Sequence, residues 1–199
     1  VDMDDVLFDI NPGILNHFNR LHGTNHRADQ VKDFFLEKML GLTKEEMQEF
    51  LMSFYDSSDH HNGDLIKGSK DGIGLIKKYD LILITARLES VRIPTEKWLQ
   101  QHFPGAFSQT HLLGMYAGSH KKRSKGEVAK ELGIQLFIDD SLTNALDIVS
   151  YGIPVILLDK LWNQAVLPPN VYRVHSWTEI VDTVEELVRI NIEHASLKS

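Results

Sequence analysis

The chain has 199 residues, a globular composition with 42% hydrophobic and 25% charged residues, and a formal net charge of -7. That length suits one good core with a modest insertion, and the acidic balance without a basic stripe argues against a nucleic-acid backbone as the main partner. The absence of cysteine excludes disulfides, thiolate zinc sites and cysteine nucleophiles, and no apolar run approaches the ~20 residues of a membrane span, so a cytoplasmic setting is expected.

The chain opens VDMDDVLFD, with Asp2, Asp4, Asp5 and Asp9 beside Val1, Val6, Leu7 and Phe8. Carboxylates among core-type residues are costly to desolvate and call for a cation, whether Lys, Arg or a metal. Val1 reads as the tail of a strand, so residues ahead of it are expected in the functional protein, and a preceding targeting segment stays open. From Asp9 to Lys67 the pattern is helical. Apolar spacing predicts helices over 14–21, 29–39 and 43–54, the last opened by the capping-box spacing of Thr43 and Glu46. A helical block after a first strand is expected to be a cap over the sheet's active edge, which divides the chain into a core of 1–9 and 68–199 and a cap of 10–67.

From Asp80 onward short apolar runs alternate with amphipathic helices. LILIT (81–85) is a buried strand, a helix over 96–103 follows with Pro94 at its start, and THLLG (110–114) is a weaker strand. Ser124 and Glu127 open a helix that ends at Gly133, QLFID (135–139) is the next strand, and a helix covers 142–150. PVILLD (154–159) is a third apolar run, and Ser176 with Glu179 opens a long C-terminal helix. Alternation of this kind means a parallel sheet with helices on both faces, whose ligands bind outside the carboxyl ends of the strands.

Polar residues collect at those ends. Asp2 and Asp4 follow the first strand, Thr85 with Ala86 and Arg87 follows LILI, and Asp139, Asp140 and Ser141 follow LFI. Lys125 stands in the first turn of the helix before that last strand. Two or three carboxylates make an oxygen site for Mg²⁺, and Asp2 and Asp4 leave an extended segment on the same side. A hydroxyl and an ammonium suit the oxygens of a phosphoryl group, and a carboxylate can attack phosphorus to form an aspartyl-phosphate. Singly, each residue has a plainer reading: solvated terminus, turn, N-cap, surface lysine. Their joint occurrence in this order points to chemistry.

DMDDV, ITAR, Lys125 within KRSKGEVAKELG, and FIDDS resemble the four ordered motifs of the haloacid-dehalogenase-like hydrolases, over Asp2 to about Asp159. TEKWLQQHFPGAF and SKGEVAKELG resemble more narrowly the group containing the 5'(3')-deoxyribonucleotidases. The resemblance implies a Rossmann-like parallel sheet flanked by helices with a small helical cap, and a Mg²⁺-dependent phosphomonoesterase acting on a small phosphorylated metabolite. It implies Asp2 as nucleophile and Asp4 as general acid and then base. Thr85, Ala86, Arg87 and Lys125 would contact the phosphoryl group. Asp2, the main-chain carbonyl of Asp4 and Asp140 would hold Mg²⁺, with Asp139 as the second choice for the last acid. Two positions depart from the pattern: Asp5 stands where glycine is common, and Ile10 where the pyrimidine nucleotidases tend to carry a base-stacking aromatic.

Other features carry weaker readings. SSDHHNGD (57–64) reads as the hinge returning from the cap rather than a soft-metal cluster. The run His120, Lys121, Lys122, Arg123 is either solvated or attracts a distal phosphate. Trp98, Trp162 and Trp177 are expected to pack rather than stack on a base. The rival readings are a phosphatase or phosphotransferase for a non-nucleotide metabolite, a phospho-accepting receiver, and a catalytically silent scaffold. A receiver places its acceptor Asp on a middle strand and lacks the early insertion.

Overall fold

The chain enters through the centre of a parallel sheet. Leu81–Thr85 (β1) pairs with Phe107–Leu112 (β2), while Phe137–Asp139 (β3), Val155–Leu158 (β4) and Val171–Val174 (β5) pair side by side. The first residues join the two groups. The Val1 carbonyl accepts from Ile84 N–H at 3.0 Å, and Asp2 N–H donates to the Ile138 carbonyl at 2.9 Å. Asp2 therefore emerges between β1 and β3, in the middle of the carboxyl edge. The computed structural model describes residues 1–61, 63–114 and 123–196, with the backbone alone for 61 and 191–196.

Side chains along the strands alternate between faces, as a buried pleated strand requires. Leu81, Leu83, Ile138, Ile156 and Leu158 belong to one apolar cluster, and Ile82, Ile84, Phe137, Val155 and Leu157 to another. Both faces are thus covered, as continuous apolar runs in sequence imply.

Helices are set in by local chemistry. Ile10–His22 (α1) ends at Gly23 in the left-handed region, φ 64°. Glu37–Leu40 (α2) is a single turn, and Lys44–Tyr55 (α3) starts with a full capping box: Thr43 Oγ1 accepts from Glu46 N–H and Glu46 Oε2 accepts from Thr43 N–H. Ser58–His61 (α4) leads back to the sheet, followed by Ser69–Ile76 (α5) and, after β1, by Arg92–His102 (α6). Lys125–Glu131 (α7), Leu142–Ser150 (α8) and Trp177–Ser196 (α9) begin at Ser124, Ser141 and Ser176, whose hydroxyls each accept an N–H of the first turn. Among the described residues no helix is long and apolar enough to cross a membrane.

The helix expected over 29–39 is broken, and of that stretch only its end, in Glu37–Leu40, is α-helical. Ala28–Gln30 is a 3-10 turn, and Asp33 Oδ1 accepts from Phe35 N–H at 3.1 Å, a local bond that competes with helix formation. Its aromatic residues face a cleft instead of a helical core. β2 begins at Phe107 rather than at Thr110, α6 begins at Arg92 rather than at Glu96, and α5 and β5 have no counterpart in the sequence reading. Of the basic run, His120, Lys121 and Lys122 lie outside the described residues, and Arg123 pairs with Glu127 and Glu131 on the helix that follows it. His60 of the SSDHHNGD stretch is buried against Phe8, Phe54 and Tyr55, and Asp59 pairs with Arg20 at 2.7 Å.

Candidate active site

Asp2 forms the floor of the site. Its Oδ1 accepts from Met3 N–H at 2.8 Å, and its Oδ2 lies 2.7 Å from Lys125 Nζ. The same ammonium lies 2.8 Å from Asp139 Oδ2, so Lys125 is clamped between the ends of two structural segments and is 1% exposed. Gly126 follows it because the helix start is crowded: a Cβ there would come within 2.6 Å of the Tyr151 ring and 2.8 Å of Asp147 Oδ2. Asp147 in turn accepts the Gly126 N–H at 2.7 Å, which fixes α7 to α8 and sets the Lys125 backbone.

The two acids of the FIDDS stretch have different partners. Asp139 spends its oxygens on Lys125, on Ser141 N–H at 2.8 Å and on Asn144 Nδ2 at 3.2 Å. Asp140 faces the cleft, where its Oδ2 accepts from Trp162 Nε1 at 2.9 Å and its carbonyl from Asn163 Nδ2 at 2.7 Å. One oxygen from each of Asp2, Asp139 and Asp140 lies within 4.8 Å of the others. Burial pushes the Asp2 carboxyl up to about 7 against the downward pull of Lys125, and burial beside Asp5 raises Asp140 well above its ordinary value. Lys125 is held above its ordinary value by Asp139 and Asp2, which outweigh its burial. Three buried carboxylates against one ammonium leave a negative excess, and this donor set fits a divalent cation held by oxygen ligands.

Asp4 and Thr85 complete the edge. Arg87 grips the Asp4 carboxylate, with Nη2 2.6 Å from Oδ1 and Nε 3.0 Å from Oδ2. Thr85 is buried at the end of β1, and its Oγ1 accepts the Arg87 N–H at 3.3 Å. Ala86, Arg87, Asp2, Asp4, Lys125 and Asp140 all line one cleft. Its opposite wall comes from the helical segment, including Ile10, Ile14, Phe34, Leu51 and Tyr55. Of the site residues expected from sequence, Thr85 and Asp139 do not line this cleft and stand buried behind its wall.

Several participants escaped the sequence reading. Trp162, expected only to pack, donates to Asp140, and Asn163 bridges the Asp140 and Leu158 carbonyls at 2.7 and 2.8 Å. Their signal is position, since LWN lies in the loop just past the carboxyl end of β4, after Asp159 and Lys160. Asp5 adopts φ 56°, a backbone more comfortable for glycine, and its carboxylate accepts from Asn11 Nδ2 at 2.8 Å. Burial pushes Asp5 up to about 8, although Lys160 pulls it down.

Comparison with known proteins gives the family and the fold. A family model described as "5' nucleotidase, deoxy (Pyrimidine), cytosolic type C protein" matches residues 1–191. A protein of Halalkalibacterium halodurans named as a candidate nucleotidase is 31% identical over 170 residues, 81% of this chain and 79% of its own. One of Clostridium acetobutylicum named as a nucleotidase is 27% identical over 171 residues, 85% of this chain and 84% of its own. The fold matches a haloacid dehalogenase-like family hydrolase of Streptococcus pneumoniae with a TM-score of 0.68 at 17% identity, covering 92% of this chain and 95% of that one. The chain belongs to the 5' nucleotidase, deoxy (pyrimidine), cytosolic type C family of haloacid-dehalogenase-like hydrolases, and as such it is a phosphoric monoester hydrolase.

Proposed function

We propose that the chain is a Mg²⁺-dependent phosphomonoesterase that works through an aspartyl-phosphate on Asp2, with nucleoside 5'-monophosphates as its substrate class. The observation that carries this reading is the Asp2 carboxylate on the cleft floor, 2.7 Å from a buried ammonium and beside a second cleft-facing acid, Asp140. Asp2, Asp140 and the Asp4 carbonyl would hold the ion. Asp139 is the less suited acid, because Lys125, Ser141 and Asn144 occupy its oxygens. Bound there, Mg²⁺ would neutralise the acidic excess and draw charge from the phosphoryl oxygens.

The residues then divide the work. An Asp2 oxygen attacks phosphorus as the bond to the leaving oxygen breaks, and Asp4 delivers a proton to that oxygen. Thr85, the Ala86 segment and Lys125 receive the phosphoryl oxygens, and Arg87 enters through the Asp4 carboxylate it grips. Water next attacks phosphorus, Asp4 takes its proton, and the bond to Asp2 breaks to give inorganic phosphate and the starting carboxylate.

The segment 10–67 serves as the cap over a core of 1–9 and 68–199. In support, its two connections run side by side: Asp9 N–H donates to the Asp64 carbonyl at 2.9 Å and Ile66 N–H to the Leu7 carbonyl at 2.8 Å. The cleft lies between the carboxyl edge of the sheet and this segment, where a phosphomonoester would reach Asp2. Its cap wall is mostly apolar, with Asn11, Asp33 and Glu37 among the lining residues, and Phe34 offers the aromatic face that Ile10 does not. A chain without cysteine fits the cytoplasm as the place of the reaction.

The test is phosphate release from nucleoside, sugar and other monophosphates, with and without Mg²⁺, beside Asp2→Asn and Asp4→Asn. Turnover that requires Mg²⁺ and Asp2, and is highest with nucleotides, is the expected result. Undiminished turnover in Asp2→Asn would sink the nucleophile, and a preference for sugar phosphates would replace the substrate class.

A further inference from the structure

Each nitrogen of the Arg87 guanidinium has a partner within the protein. Nε and Nη2 reach both oxygens of Asp4, and Nη1 donates to Thr95 Oγ1 at 3.1 Å. The guanidinium carbon lies 4.7 Å from the Phe8 ring centroid, and the residue is 1% exposed. Its main chain is pinned as well: Arg87 N–H reaches Thr85 Oγ1 and the Arg87 carbonyl accepts from Gly114 N–H at 2.9 Å. Turning toward a phosphate would strip Asp4 of its partner and break the Thr95 bond.

Asp4 needs such a hold. Its side chain is partly exposed at the cleft and would otherwise turn toward solvent. A planar two-armed grip fixes both distance and orientation in a way that a point charge does not. We propose that Arg87 is a positioning residue: backed by Thr95 and Phe8, it sets the Asp4 carboxyl in place for proton transfer and does not itself bind the phosphoryl group. This rests on the role of Asp4 proposed above. Arg87 also lines a second cavity, bounded by Phe8, Lys97 and Trp98 and rimmed by the exposed Ile93, so its guanidinium can be replaced from outside the catalytic cleft.

The experiment compares wild type with Arg87→Ala, Arg87→Lys and Thr95→Val in Mg²⁺, after thermal melts confirm folding. One substrate is the best nucleoside monophosphate from the panel, whose alkoxide leaving group needs a proton. The other is p-nitrophenyl phosphate, whose phenolate does not. For Arg87→Ala we expect kcat on the nucleotide to fall about a hundredfold with KM within about threefold. With p-nitrophenyl phosphate a fast burst of one equivalent of phenolate should survive, followed by slow turnover, because only the water attack still needs Asp4. Arg87→Lys should recover little, and millimolar guanidinium chloride should restore part of the Arg87→Ala rate. Thr95→Val keeps the arginine and should show the same pattern, weakened, even if Arg87→Ala fails to fold. A large KM rise on both substrates with no burst would make Arg87 a phosphate ligand and overturn the proposal, as would unchanged rates. A wild type that turns over neither substrate would instead fail the phosphatase reading on which this rests.

Discussion

Trp162 donates its indole N–H to Asp140 across 2.9 Å, tying the loop after β4 to the acid at the end of β3. Trp162→Phe keeps most of the ring and removes the donor, so Asp140 loses the bond that aims it into the cleft. Outer partners of metal-binding carboxylates are worth about tenfold or more in affinity. We expect the Mg²⁺ concentration for half-maximal activity to rise by about that factor while kcat at saturating Mg²⁺ changes little. A Mg²⁺ titration of turnover checks it, and an unchanged midpoint would remove Trp162 from the site.

Lys125 neutralises two acids at once, which makes its removal costly. Lys125→Met fills much of the same volume but leaves Asp2 and Asp139 buried without the ammonium. Breaking a buried ion pair from one side costs about 3–5 kcal/mol. Urea unfolding of the metal-free variant should show a loss of that order, and turnover should fall at least about a thousandfold. Added Mg²⁺ should recover stability but not activity, since it cannot replace the ammonium on the phosphoryl oxygens.

The gathering of Asp2, Asp4, Thr85, Lys125 and Asp140 at one edge was legible in the sequence because a parallel sheet sends every strand end to one side. Helix starts were legible for a local reason: Thr43, Ser124 and Ser176 are short-range caps, and each accepts the expected N–H. Other parts were not legible. The single helix expected over 29–39 breaks because Asp33 bonds the local backbone, which leaves Ala28–Gln30 as a 3-10 turn and Glu37–Leu40 as one helical turn. β5 is four residues with Tyr172 and Arg173 partly exposed, too short and too mixed to stand out. Trp162, Asn163 and Thr95 act through space, and nothing in their own neighbourhoods names Asp140 or Arg87 as the partner.

Gly126 tests how tightly the start of α7 is set. A Cβ at this position meets the Tyr151 ring and Asp147 Oδ2, the atom that accepts the Gly126 N–H. Gly126→Ala should therefore push α7 from α8, cost about 1–3 kcal/mol, and lower kcat through Lys125. Adding Tyr151→Ala relieves the ring contact, so the double variant should regain part of both losses. Additive losses in that cycle would mean that the two side chains do not meet.

Asp5 gives the stability a pH dependence whose sign can be worked out. Its carboxyl is at about 8 in the folded protein against an ordinary value of 3.8, so the folded chain holds the proton where the unfolded chain has released it. Stability must then fall as pH rises between those values. Asp5→Asn removes the charge, keeps an oxygen for Asn11, and tolerates the positive φ as well as Asp does. In metal-free urea unfolding the variant should exceed wild type by about 1–3 kcal/mol near pH 8 and by less at about pH 5. Asp2, at about 7, has the same sign. Since a cation must displace these protons, the gain in Tm on adding Mg²⁺ to wild type should grow from about pH 6 to about pH 8. Parallel pH curves for wild type and Asp5→Asn would mean that Asp5 is ionised and paired throughout, and the account of this buried acid would fall.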